Sequence, residues 1–286
     1  MLVVDACDLE IGEVVVHACE SLKAVSEVTR VGNAKLAVAG LSWWHVIEVV
    51  PGVTTPGGWD LRPMAARMPW PDSLQGARCL DVGTMDGFWA FEMERRAAAE
   101  VLAIDLVDPA RQDPFPDGRQ PRPTPPELLR GRTFAVAAEL LGSTARHLDL
   151  NVYDLDPEDV GEFDVVFMGF MLQLLRDPLR GLEAIRRVCR GHLIVLDTVS
   201  RPLSLLPVPV ARLNARRDGS EWFVFNRRGL ARALQLTGFE VEAVTPILRD
   251  HYPRQPDEPA APTARALRTL GLRGRSAAIR ARRAEL

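Results

Sequence analysis

One stretch constrains this chain more than any other: an apolar strand ends in a glycine-bearing turn, a helix follows, and a second apolar strand ends in an acid. The residues are Leu80-Asp81-Val82-Gly83-Thr84-Met85-Asp86-Gly87-Phe88-Trp89 and, further on, Val101-Leu102-Ala103-Ile104-Asp105. This is the plan of a nucleotide-binding βαβ unit, in which an acid about twenty residues beyond the turn accepts hydrogen bonds from ribose hydroxyls. A ligand with a ribose is therefore expected. Gly83 and Gly87 stand four apart, and the third glycine of the dinucleotide fingerprint is missing. Such a turn leaves room for a ligand without phosphate, for example an amino acid joined to a nucleoside.

The surroundings of this unit read as an α/β fold. Helix 134–141, strand 147–153, strand 163–168, helix 179–189 and strand 192–197 follow in sequence, and the strands are rich in Val, Ile and Leu on both faces, as in a buried parallel sheet with helices on each side. A Pro-rich loop over 109–127 interrupts the alternation, because proline removes the backbone donor and fixes φ. Asn226 reads as the cap of a helix and 238–244 as a strand. A second irregular stretch covers 253–272. The basic tail has two readings, a nucleic-acid-binding helix or a strand; within 275–283, Ala277, Ile279 and Ala281 alternate with polar or small residues, the period of a half-buried strand, which is the favoured reading. The division expected is an N-terminal cap with an aromatic lid over 1–60 and a Rossmann-like domain over 61–286.

Of the 286 residues, 47% are hydrophobic and 26% charged, and no apolar run approaches the length of a membrane span. No signal peptide is visible, and a cytoplasmic protein without a membrane partner is expected. The four cysteines, Cys7, Cys19, Cys79 and Cys189, have no CxxC spacing, and the five histidines are scattered, so neither a disulfide framework nor a metal site is expected. A net charge of −3 does not suggest global capture of nucleic acid, although Arg-rich stretches at 211–232 and 264–283 leave a local basic groove open.

Asp81-Val82-Gly83-Thr84-Met85-Asp86-Gly87 resembles motif I of class I S-adenosylmethionine (SAM) dependent methyltransferases. The likeness narrows through Trp44-His45-Val46-Ile47, Pro51-Gly52-Val53-Thr54-Thr55-Pro56-Gly57, Val152-Tyr153-Asp154-Leu155, Phe163 to Gly169 and Arg176-Asp177-Pro178. Over roughly residues 43–245 the chain is similar to the family of the tRNA wobble-uridine carboxymethyltransferase and its shorter relatives. The resemblance implies a seven-stranded sheet whose last strand is antiparallel, for which 275–283 is the remaining segment. SAM is the implied cofactor, with S-adenosylhomocysteine as product. Its implied contacts are Asp81, Gly83, Thr84, Asp86 and Gly87 at the methionine end, Asp105 and Leu106 at the ribose, Tyr153 and Asp154 at the adenine, and Met168 and Gly169 beneath the sulfonium.

The tRNA branch holds the extra carboxylate of carboxy-SAM with a Tyr, from a Tyr-His pair, and a Lys. This chain reads Gly169-Phe170-Met171-Leu172-Gln173-Leu174-Leu175-Arg176-Asp177-Pro178 there, and its only lysines are Lys23 and Lys35. An unpartnered buried carboxylate costs several kcal/mol, so ordinary SAM is the expected donor.

Methyl transfer to a hydroxyl requires alignment, exclusion of water and removal of a proton. The family resemblance places the loop with Trp43, Trp44, His45, Trp59, Asp60 and Arg62 over the methyl, and Gly52, Gly57 and Gly58 are expected to let it move. His45 is the first candidate base and Asp60 the second. Trp44, Trp59, Arg62, Gln173, Trp222 and Arg227 are the candidate acceptor contacts; for Gln173 a solvated helix face is the competing reading. Three functions remain open: a methyltransferase acting on a small-molecule hydroxyl, which leads, an RNA-modifying enzyme, and a SAM-binding protein without catalysis.

Overall fold

The computed structural model describes residues 29–114, 131–213, 221–246, 248–249 and 275–285. The first 28 residues of the expected N-terminal cap, with Cys7, Cys19 and Lys23, most of the Pro-rich loop and the irregular segment 253–272 lie outside the described residues.

Helix α1 covers 29–39, and β1 (Glu48–Val50) and β2 (Val53–Thr54) form a hairpin around Pro51-Gly52. After α2 (Arg62–Ala65) the chain alternates β3 (Arg78–Val82), α3 (Phe88–Arg95), β4 (Glu100–Asp105), α4 (Arg132–Leu141), β5 (Arg146–Asp149), α5 (Pro157–Val160), β6 (Phe163–Gly169), α6 (Pro178–Val188) and β7 (Cys189–Thr198). A short hairpin, β8 (Ala211–Leu213) with β9 (Phe223–Phe225), precedes α7 (Arg227–Leu236) and β10 (Phe239–Val244). Strands β11 (Leu248–Arg249) and β12 (Arg275–Arg283) close the order.

Seven strands run continuously as β10-β12-β7-β6-β3-β4-β5, and β11 pairs with the start of β12. Neighbours from β7 to β5 are parallel, whereas β12 is antiparallel to both β7 and β10. The period-two pattern read at 277–282 is this strand: Ala277, Ile279 and Ala281 enter one apolar cluster and Ala278 the other.

The two clusters flank the sheet because each central strand is apolar on both faces. On β6, Val165 and Phe167 face one side with α3 and α4, and Val166 and Met168 face the other with α6 and α7. A fully buried side chain of this size contributes about 1.5–3 kcal/mol, so the sheet is the main store of stability. Trp43, Ile47, Val49, Val50 and Val53 join the same cluster as Phe88, Trp89 and Phe91, which fixes the aromatic loop against α3. Cys79 and Cys189 are buried thiols pushed up to about 12, chiefly by desolvation, and are inert.

One element differs from the sequence reading. The strand expected over 147–153 stops at Asp149, because the Asn151 side chain accepts the Tyr153 N–H (3.1 Å) and starts a 3-10 turn over Val152–Asp154. Tyr153 is a turn residue, not a strand residue.

Candidate active site

The carboxyl ends of the central parallel strands meet at the turn after β3. Gly83 has φ +77° and Gly87 φ +93°, conformations that side chains rarely adopt. Gly87 caps α3, and a Cβ there would enter the rings of Phe91 and Phe134; a Cβ on Gly83 would enter the Met171 side chain. The turn is tied to β4 through Gly83 N–H and Thr84 N–H, both donating to Ile104 O (2.8 and 3.1 Å). Non-glycine residues with positive φ flank the cleft, Met85 at +52° and Phe170 at +56°, a strain that the surrounding bonds must hold.

Three buried carboxylates end the strands here. Asp105, at the end of β4, accepts the N–H groups of Met85 (2.9 Å) and Leu106 (2.7 Å). Asp81 accepts the Thr84 hydroxyl at 2.7 Å through Oδ2, while its Oδ1 is buried without a partner. Desolvation pushes Asp81 up to about 7. Asp197, at the end of β7, was not singled out from the sequence. It accepts the N–H groups of Gln173 (3.2 Å) and Thr198 (2.6 Å), and burial raises it to about 7 as well. The signal was present, since Asp197 ends an apolar strand as Asp105 does.

Asp86 has a different role from the one expected. Its Oδ2 accepts the N–H groups of Trp44 (2.6 Å) and His45 (2.8 Å), and its Oδ1 accepts the Thr133 hydroxyl (2.7 Å). The carboxylate is committed to the aromatic loop and α4. The loop is further closed by Val46 N–H to Trp59 O and Trp59 N–H to Trp44 O, both 2.8 Å, and by the Thr55 hydroxyl to His45 O (2.5 Å). Gly57 does not serve as a hinge: a Cβ there would collide with the His45 backbone, so its purpose is close approach. Gly52, with φ +76° in the β1–β2 turn, has open space around it.

His45 is held over the glycine turn. Its side chain is 14% exposed, its Nδ1 lies 3.7 Å from Asp86 Oδ2, too far for a hydrogen bond, and Nδ1 has no partner. The ring lies 5.9 Å from that of Phe88. Burial lowers the imidazole below its ordinary 6.5, against the opposing charges of Asp86 and Asp105. It is therefore a neutral imidazole at neutral pH. Asp60 instead forms a fork with Arg62, accepting Nε at 2.8 Å and Nη2 at 2.7 Å. A carboxylate held by a guanidinium is a poor base, and the same pair turns Arg62 away from an acceptor role.

Among the remaining candidates, Trp59 packs on Phe170 with ring centroids 5.9 Å apart, and Trp44 is half exposed. Gln173 is buried, which removes the solvated-face reading, and its Oε1 has no partner. Its carbonyl accepts Trp222 N–H at 2.7 Å, while Trp222 Nε1 donates to Pro114 O (3.1 Å). Gln173 and Trp222 thus stand together as a wall. Arg227 is not part of it, being exposed in the first turn of α7.

Tyr153 donates to Asp113 (2.7 Å), accepts Asp177 N–H (3.1 Å) and lies under Arg180, so its side chain faces the start of α6; Asp154 is exposed. Met168 is wholly buried on the α6 side of the sheet and is core. Gly169 is close-packed, since a Cβ there would meet Phe167 and Trp89. No cluster of His, Cys, Asp and Glu suited to a metal occurs among the described residues.

The strand order, the acid-glycine turn after β3 and the acid ending β4 define a class I SAM-dependent methyltransferase. The chain belongs to the family described as the methyltransferase domain, whose model matches residues 61–244. Among its relatives, the tRNA U34 carboxymethyltransferase of Pseudomonas paraeruginosa is 30% identical over 169 residues, which covers 58% of this chain and 46% of that protein. The chain thus spans about half the length of the curated relatives it matches. The N-terminal domain of EvdMO1, solved with SAH bound, shares the fold with a TM-score of 0.52 at 17% identity, over 89% of this chain and 96% of that one. The [4+2]-cyclase SpnF does so with a TM-score of 0.50 at 18% identity, over 79% and 80%.

SAM is the cofactor of this class, and the residues present fit it. Asp81, with its unpartnered Oδ1, and the Asp105 carboxylate supply acceptors suited to an ammonium and a diol.

Proposed function

We propose that this methyltransferase acts on a hydroxyl of a small-molecule acceptor, with His45 as the general base. The observation that carries this reading is the neutral imidazole of His45, whose Nδ1 is unpartnered and whose backbone is fixed by Asp86 beside the glycine turn. Asp105 would take the ribose hydroxyls with Leu106 beside it, Asp81 the ammonium, and Gly83 with Thr84 the methionine chain. When bound, the cofactor supplies an activated methyl on a sulfonium. Alignment and dryness then fall to the protein: Trp44, Trp59 and Phe170 cover one side, and Gln173 with Trp222 the other. The Gln173 side chain would accept a hydrogen bond from the acceptor, and the His45 imidazole its hydroxyl proton.

Similarity to the tRNA U34 carboxymethyltransferase supports a second reading, RNA as acceptor. The experiment that decides is formation of S-adenosylhomocysteine from SAM on a panel of phenols, alcohols, sugars and bulk tRNA, beside a gel shift with tRNA at several salt concentrations. Turnover on a hydroxyl compound and no salt-dependent shift is expected. Turnover on tRNA alone would replace the first reading by the second, and no turnover on any acceptor would favour a SAM-binding protein without catalysis.

A further inference from the structure

Between β7 and β9 the chain builds a loop whose backbone is pinned and whose apolar side chains face outward. Asn226, wholly buried at the start of α7, donates through Nδ2 to Leu203 O (2.9 Å) and Val208 O (2.8 Å) and accepts Val210 N–H (3.0 Å) and Gly229 N–H (2.6 Å). Ser204 N–H and hydroxyl both donate to Ser200 O (2.9 and 2.8 Å). Yet Leu205 is 85% exposed, Val208 51%, Leu206 43% and, on β8, Leu213 69%. Solvated aliphatic side chains on a fixed backbone are an unspent hydrophobic contribution, and four of them within residues 205–213 suit an interaction surface.

The loop itself carries charge of one sign. Residues 198–213 contain no Asp or Glu but include Arg201 and Arg212, both exposed. Arg227 and Arg228 open α7, and Arg227 N–H reaches the Ser204 hydroxyl at 3.4 Å, which joins them to the loop. No ion pair holds any of these four guanidiniums among the described residues, a state they share with Arg67 and Arg132 elsewhere. Two cations in the first turn also stand at the positive end of the helix dipole, an unfavourable place unless an anion is present.

We propose that this loop is a docking surface for an anionic phospholipid membrane, with Leu205, Leu206, Val208 and Leu213 at the acyl boundary and Arg201, Arg212, Arg227 and Arg228 on the headgroup phosphates. RNA offers the same phosphates but nothing to aliphatic side chains, and surfaces that take unpaired bases present aromatic rings, of which this loop has none. The absence of a spanning segment in the sequence is compatible with this, since the contact is peripheral. The surface also borders the acceptor wall, because Ser200 N–H donates to Phe225 O (2.8 Å), three residues from Trp222.

The test is co-sedimentation of the full chain with vesicles of mixed phosphatidylglycerol and phosphatidylcholine, and with phosphatidylcholine alone. Binding to the mixed vesicles that weakens with salt is expected, and a loss of roughly ten-fold or more in Leu205→Glu/Leu213→Glu and in Arg201→Gln/Arg212→Gln. Unchanged SAM affinity would show that these variants fold, and Leu36→Glu, at an exposed leucine of α1, should bind vesicles as the parent does. No binding to the mixed vesicles, or equal binding by the leucine variant, overturns the proposal. So does a dimer in light scattering that the leucine variant dissociates without vesicle binding, or a tRNA shift lost only in the arginine variant.

Discussion

Asp86 holds His45 by its backbone N–H at 2.8 Å while leaving the His45 ring nitrogen 3.7 Å away and unpartnered. The same carboxylate that positions the histidine leaves that ring nitrogen without a hydrogen bond. Because Asp86 belongs to the glycine turn, its hydrogen bonds tie the aromatic loop to that turn.

His45→Gln should therefore retain SAM affinity while the methylation rate falls roughly 10²- to 10⁴-fold, the usual contribution of a positioned base. The parent rate should fall at low pH with a midpoint below the ordinary imidazole value of 6.5, because burial lowers it, and the variant should lack that limb. A near-parental rate and profile would leave His45 as a structural residue.

Asp86→Ala removes a buried acceptor from two backbone N–H groups and the Thr133 hydroxyl. A stability loss of about 2–4 kcal/mol is expected, the scale for hydrogen bonds to a charged group left unmade. Urea denaturation with an unchanged midpoint would show that the anchor carries no weight.

Asp105→Ala should weaken SAM binding by about 1.5–3 kcal/mol, read by calorimetry on a variant that keeps its circular dichroism spectrum. Unchanged affinity would remove Asp105 from the site.

In competition, SAM should bind more tightly than carboxy-SAM. Neither Leu172 nor Gln173, the positions that the resemblance sets against the hydroxyl-bearing residue of the tRNA branch, carries a hydroxyl or a cation, and both are buried. A preference for carboxy-SAM would mean that a cation elsewhere in the cleft holds the extra carboxylate.

Binding of SAM should release protons near neutral pH. Asp81, raised to about 7 by burial, is partly protonated in the ligand-free protein, and an ammonium at its unpartnered Oδ1 would favour the ionised form. Without ligand the same shift has a cost. The raised carboxyl contributes stability that is full below its ordinary 3.8 and is lost as pH rises through about 7. Calorimetry in buffers of different ionisation enthalpy measures the release, and Asp81→Asn should abolish it. Equal heats in all buffers would place Asp81 outside the contact.

Local patterns were legible in the sequence wherever the cause was local. The alternation of Ala277, Ile279 and Ala281 gave β12, and the turn at Gly83 and Gly87 gave the βαβ unit. What failed depended on distant partners. An acid in a glycine turn does not reveal that Trp44, His45 and Thr133 will claim it, so Asp86 was read as a ligand contact. Tyr153 was misplaced because Asn151 spends its side chain on a cap that ends the strand. Gly57 read as a hinge because the carbonyl that crowds it belongs to His45, twelve residues earlier.

Strand β12 lies between β7 and β10, although it follows both in the chain. Until residues 275–283 leave the ribosome, β7 and β10 each present a bare edge towards an empty slot. The sheet cannot zip in order of synthesis, and its last backbone hydrogen bonds must form after almost every other element is in place. An unpaired edge on a central strand invites pairing with another chain. The antiparallel insertion that completes this fold therefore also sets the interval in synthesis during which it is most exposed to misassembly.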